Sequence, residues 1–350
     1  MELLRDSVPA VSLAVSAAAL YARAVASRVR PGFRRLAMLL PVGALFAAVP
    51  FAFVSSGILR VTAASFFTWL SMFKVVLLLA AGRGSLDPGF PVVRFLFVAV
   101  LAVEVRSGAG GGRPDAASAA TSRPSKAAGP MSSLVPCAFK VAVVAAVLHL
   151  SHRRLLAVQH LYARYAVYGA LIWCFMELLA TCMAAAGGAL GIEVKPQFVD
   201  PHLSTSLTDF WGRRWNLVVS AVLRASVYDP LRRRAGKEAG IMATFLVSGL
   251  MHEVVVYCFT LRPPTGELAA FFLLHGACRV AEERCSRRWA ARPPRPVAML
   301  LLWGFDTVTS FWLIFPPLCR EGGEEMFLKE LEAVAAFFAG AGRKLLGGYV

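Results

Sequence analysis

The chain has 350 residues, of which 57% are apolar and 17% charged, against about 25% charged in an ordinary soluble domain. Its mean hydropathy of +0.62 excludes a water-soluble globule, a disordered tail and a small disulfide-stapled module, and assigns the chain to a lipid bilayer. The formal charge of +16 comes from basic residues that fall mostly between apolar runs, where they set topology and meet anionic lipid or an anionic substrate; nucleic acid is a poor partner for that pattern.

Residues 8–26 form the first apolar run, long enough to cross about 30 Å of hydrocarbon at about 1.5 Å per residue. It reads as a retained helix and not a leader, because Arg5 lies between Glu2 and Asp6 and further apolar runs follow. Next come 36–59, with kinks predicted at Pro41 and Pro50, and 61–81, which carries Lys74 either snorkelling or facing the bundle. Residues 90–105 are apolar but short and hold Arg94, which predicts an interfacial segment. Residues 107–130 (SGAGGGRPDAASAATSRPSKAAGP) cannot bury a core and read as a flexible loop without function.

Further candidate spans are 134–150, 165–190, 239–259, 267–280 and 297–318, and the amphipathic tail after Met326 either spans or lies flat. The expected architecture is therefore all-α: a single polytopic bundle over 1–350, with about eight spanning helices plus interfacial ones. No repeat of fixed period is present. The seven cysteines are scattered without a CxxC pair, which argues against a zinc site or a disulfide framework.

Charge orients the bundle. Residues 28–35 hold four Arg, 191–238 hold eight basic against five acidic residues, and 279–295 hold six against two. These loops fall on one side if 90–105 does not cross, with 152–154 as the exception, which puts the long loop in the cytosol and the N-terminus in the lumen.

Two stretches carry chemistry. In Ser206-Leu-Thr-Asp-Phe-Trp-Gly-Arg-Arg-Trp-Asn216 a helix would put Asp209, Arg213 and Asn216 on one face and Trp211 and Trp215 on another. An ordinary boundary helix with interfacial tryptophans and a surface ion pair is the competing reading. In Thr244-Phe-Leu-Val-Ser-Gly-Leu-Met-His-Glu253, His252 and Glu253 lie in mid-span, where ionisable groups are costly and usually functional. Ser248 stands one turn before His252, Gly249 permits close helix approach, and Glu253 is expected to face a different neighbour from His252. A core histidine bonded to a neighbouring helix is the alternative. His149, His152 and His160 lack carboxylate companions, while His202 and His275 read as structural. No GxSxG elbow, P-loop, HExxH or dinucleotide fingerprint is present.

With Pro196-Gln-Phe-Val-Asp-Pro-His through Asn216 and Ser248-Gly-Leu-Met-His-Glu253 both in view, the chain resembles the plant wax synthase family, long-chain-alcohol O-fatty-acyltransferases of the membrane-bound O-acyltransferase superfamily. The match is strongest over 196–253, and Phe311-Trp-Leu-Ile-Phe-Pro316 agrees with it. The resemblance implies a multi-pass endoplasmic-reticulum enzyme that moves a fatty acyl group from acyl-CoA, its co-substrate, to a fatty alcohol. It implies no other cofactor and no metal. The superfamily's histidine falls on His252 and its asparagine on Asn216. Arg213 and Arg214, with Arg224 or Arg232–Arg234, then meet the CoA phosphates, while Trp211, Trp215 and Ser248 line the substrate site. A sterol acceptor and a catalytically silent lipid-binding relative are the alternatives. Residues 107–130 depart from the family pattern, outside the motifs.

Overall fold

A computed structural model describes residues 5–82, 84, 86–105, 160–288, 293–330, 332, 333 and 336. The expected 107–130 loop, the 134–150 span, His149, His152 and most of the tail lie outside these residues. The fold divides into two compact units, one of residues 1–102 with 196–350 and one of 103–195.

In the first unit, α1 (Val8–Arg28) starts at Ser7, whose hydroxyl accepts from the Ala10 N–H at 3.3 Å. It buries Val11, Val15, Ala19, Ala22 and Ala26 along one stripe, as a helix with small residues every three or four positions does. Leu13, on the opposite side, is 73% exposed. Helix α2 (Phe33–Ala48) contains Pro41 without interruption, and a 3₁₀ turn at Val49–Ala52 follows around Pro50. The apolar run 36–59 is consequently split: Ser56 caps a new helix, α3 (Gly57–Ala63), which continues as wider π-helical turns through Ala64–Leu78. The Glu330 carboxylate accepts from Gly57 N at 2.6 Å and from Ser56 Oγ at 2.8 Å, supplying a second cap to α3. Helix α4 (Val92–Val100) is nine residues long, about 14 Å, and too short to cross.

Three basic side chains inside this unit are buried, and each satisfies carbonyls left over at a helix C-terminus. Arg35 donates to Ala26 O and Leu79 O at 2.8 Å and to Val29 O at 2.7 Å. Arg60 donates to Cys258 O, to Phe259 O at 3.1 Å and to Phe53 O at 3.0 Å. Lys74 Nζ reaches Val98 O at 2.5 Å and Leu101 O at 2.6 Å. Lys74 therefore faces the bundle and does not snorkel. The last turn of a helix offers unpaired carbonyls and the negative end of its dipole, and both compensate a cation placed there.

The described residues of the other unit include the long helix α5 (Leu161–Ala189), an antiparallel bridge between Val105 and Val194 and a Lys195–Glu104 ion pair at 2.9 Å. Among the described residues, six helices are long and apolar enough to cross a membrane: Val8–Arg28, Phe33–Ala52, Gly57–Leu77, Leu161–Ala189, Lys237–Thr260 and Arg295–Leu313. The expected span at 267–280 becomes α9 (Glu267–Arg288), whose charged C-terminal half keeps it off that list.

Candidate active site

The first motif follows a short turn at Leu207–Asp209 that Ser206 caps, accepting from Asp209 N at 3.0 Å. The chain then widens into a π-helical stretch, Phe210–Arg214, and this changes the register. Asp209 pairs at 2.7 Å with Arg214, five residues on, and not with Arg213 as a regular helix predicts. Arg214 also donates to Val199 O and Asp200 O at 3.3 and 3.1 Å, so its guanidinium is committed to holding the loop. Arg213 is exposed and, among the described residues, unpaired. Asn216 breaks the helix: its backbone is left-handed at φ 40°, and its Oδ1 accepts from Val219 N at 3.3 Å to cap α6 (Leu217–Leu223). Asn suits both demands. The predicted face shared by Asp209, Arg213 and Asn216 does not form.

Of the two tryptophans, Trp215 stacks on Phe210 at 5.2 Å and meets Phe198 edge-on at 5.4 Å. Trp211 packs among Ile241, Phe245, Phe271 and Phe272, and its indole N–H donates to His275 Nδ1 at 3.2 Å. His275 is fully buried, and its Nε2 faces Thr309 Oγ1 at 2.9 Å. The Thr309 hydroxyl donates to Phe305 O at 2.8 Å, so Nε2 of His275 carries the proton and Nδ1 accepts. His275 thus joins the motif to the helix Arg295–Leu313 (α10), a structural role.

His252 stands on α8 (Lys237–Thr260), which follows α7 (Asp229–Ala235). A Cβ on Gly249 would lie 2.8 Å from Ala269 Cα, and one on Gly276 2.9 Å from Phe245 Cβ; the two glycines let α8 and α9 close on each other. The imidazole lies between Phe272 of α9 (ring centroids 4.3 Å apart) and Trp69 of α3 (4.8 Å, planes at 76°). Its Nδ1 bonds the main-chain carbonyl of Ser248 at 2.7 Å. A carbonyl only accepts, so Nδ1 bears the proton of the neutral ring and Nε2 is left with the basic lone pair. Ser248 therefore orients His252 through its backbone and not its hydroxyl. Glu253 does not turn to another neighbour: it too meets α9, where its Oε1 accepts from Ala269 N at 3.1 Å in the first turn.

The two motifs meet at Phe272, which touches both His252 and Trp211 (5.6 Å). The profile of the membrane bound O-acyl transferase family matches residues 194–274, a span that contains both motifs and Phe272. A probable long-chain-alcohol O-fatty-acyltransferase 1 of Arabidopsis thaliana is 35% identical over 89% of this chain and 90% of its own. A long-chain-alcohol O-fatty-acyltransferase of Simmondsia chinensis is 33% identical over 96% of each chain. The chain belongs to the plant wax synthase family of membrane-bound O-acyltransferases. An acyl-CoA–sterol O-acyltransferase 1 of Arabidopsis thaliana is also 33% identical, over 92% of this chain and 93% of its own.

In this acyltransferase the sequence motifs left two contacts of the site unmarked, Phe272 and Trp69. Trp69 carried one signal: it lies inside the run 61–81 instead of at a boundary, where membrane tryptophans concentrate. Away from His252, Arg224 and Arg232 both approach the Tyr228 ring, at 6.0 and 5.9 Å, from exposed positions. Together with Arg213, Arg233 and Arg234 they are exposed cations of the charged segment.

Proposed function

We propose that the protein transfers a fatty acyl group from acyl-CoA to the hydroxyl of a long-chain alcohol, forming a wax ester at the endoplasmic-reticulum membrane. The observation that carries this reading is the His252 tautomer, with Nδ1–H tied to Ser248 O and Nε2 left as the base. A thioester is already activated, so the reaction asks for a base and a dry meeting point and for no cofactor beyond acyl-CoA as co-substrate. Nε2 takes the alcohol proton as the alcohol oxygen attacks the thioester carbon. The tetrahedral centre then expels the CoA thiolate, which recovers the proton. Asn216 keeps its amide N–H₂ unpartnered among the described residues, available to orient the thioester.

Arg213, with Arg224 and Arg232–Arg234, meets the CoA phosphates from the cytosolic side. Membrane microsomes given labelled acyl-CoA and a panel of fatty alcohols and sterols test the reading. Wax ester as the main product is expected; sterol ester in its place would move the acceptor to the alternative that the sterol-acylating relative favours, and no ester at all would remove the activity.

A further inference from the structure

The π-helical turns at Ala64–Leu78 carry five polar side chains, and four of them have partners. Ser65 donates to Val61 O at 2.9 Å, Thr68 to Phe46 O at 3.1 Å and Ser71 to Val100 O at 3.3 Å, while Lys74 holds two carbonyls. The fifth, Trp69, is 5% exposed, and its Nε1 is buried with no acceptor among the described residues. An indole N–H only donates, and a buried donor left unmatched is uncommon enough to need a cause. Trp211 and Trp303, beside the first motif, show the normal state: Trp211 donates to His275 and Trp303 to His202 O at 3.2 Å. Trp69 differs in its place. Its ring touches the His252 imidazole, 4.8 Å between centroids.

We infer that the Trp69 indole N–H is the hydrogen-bond donor to the thioester carbonyl oxygen of bound acyl-CoA, and that it holds the negative charge this oxygen gains during acyl transfer. The inference rests on His252 being the base of the proposed reaction. Three oxygens or sulfurs come together beside that base, and chemistry selects among them. The alcohol oxygen needs its lone pair for attack and sends its proton to Nε2, so a donor aimed at it would slow the step. The thioether-like sulfur is a weak acceptor. The carbonyl oxygen receives the π pair when the C–O bond forms and returns it when the C–S bond breaks, and a fixed donor in a dry site stabilises that charge without reorganising. Trp69 comes from a helix remote in sequence from both motifs, so neither motif contains it.

The test replaces Trp69 with phenylalanine, and in parallel with the isostere 3-benzothienylalanine, which keeps the indole shape and substitutes sulfur for N–H. Loss of one such donor should lower kcat by about 10²-fold, with KM for the alcohol within about twofold of the parent. The parent should also prefer, as inhibitor, a CoA ketone in which CH₂ replaces sulfur over a thioether that lacks the carbonyl; both variants should lose that preference. Activity of the benzothienyl protein within about threefold of the parent, or an unchanged ketone preference, would overturn the inference. His252→Ala separates the two levels. If the parent is active, His252→Ala is impaired and the Trp69 variants are not, this inference alone fails. If His252→Ala is fully active or the parent makes no ester, the reading beneath it fails and this one with it.

Discussion

His252 and Ser248 are one turn apart on the same helix, yet the structure gives them unequal weight. The imidazole is held by the Ser248 carbonyl, which alanine at 248 retains, so Ser248→Ala should leave turnover close to parental. His252→Ala should lower it by about 10²–10⁴, the usual contribution of a general base, with acyl-CoA binding nearly intact; rates and equilibrium binding measured on the same microsomes check both. The adjacent arginines separate in the same way. Arg214 is 23% exposed and paired with Asp209, and its replacement by alanine should cost about 1–3 kcal/mol of stability, read as a lower melting temperature in detergent. Arg213 is exposed and should tolerate alanine structurally while raising KM for acyl-CoA more than for the alcohol. Residue types alone singled out His252 and Glu253 as mid-span ionisable groups, but they gave the two arginines equal standing. Only the π-helical register, which shifts the partner of Asp209 from 213 to 214, tells them apart, and no propensity in Phe-Trp-Gly-Arg-Arg announces it.

At the scale of the helix, closeness between α8 and α9 decides the site, because Phe272 reaches the imidazole only if the backbones nearly touch. With Ala269 Cα 2.8 Å from where a Cβ on Gly249 would sit, Gly249→Val must separate the helices. The expected cost is about 1–3 kcal/mol, typical of overpacking, together with loss of activity although His252 itself is unaltered; a thermal-shift measurement beside the esterification assay would show both. The apolar periodicity located α1, α5, α8 and α10 to within a few residues, since length and hydropathy suffice for a spanning helix. It ran 36–59 too far: the break expected at Pro50 is present, but the Ser56 cap gives 57–59 to the next helix. It failed also at α9, whose apolar half predicted a span and whose charged half extends the helix through Arg288. Short-range punctuation outweighs hydropathy at such boundaries.

For the whole chain, the sequence counted Arg35, Arg60 and Lys74 either as loop charges or as a single anomaly in a span, whereas the folded bundle uses all three to close helix C-termini. That use was not legible because the carbonyls concerned come from elsewhere in the chain and a main-chain acceptor leaves no mark on a sequence. Arg60 is the extreme case: its acceptors Cys258 O and Phe259 O follow it by 198 and 199 residues. During synthesis the helix that carries Arg60 reaches the bilayer long before those carbonyls exist. Until α8 has been translated, its guanidinium has only the nearby Phe53 and Val54 carbonyls for compensation, in surroundings where an unmatched cation is expensive. The expected consequence is that the third helix is completed only when α8 arrives. A ribosome-released fragment ending at residue 245 should be degraded rapidly in pulse-chase, one ending at 290 should persist, and Arg60→Met should prolong the life of the shorter one.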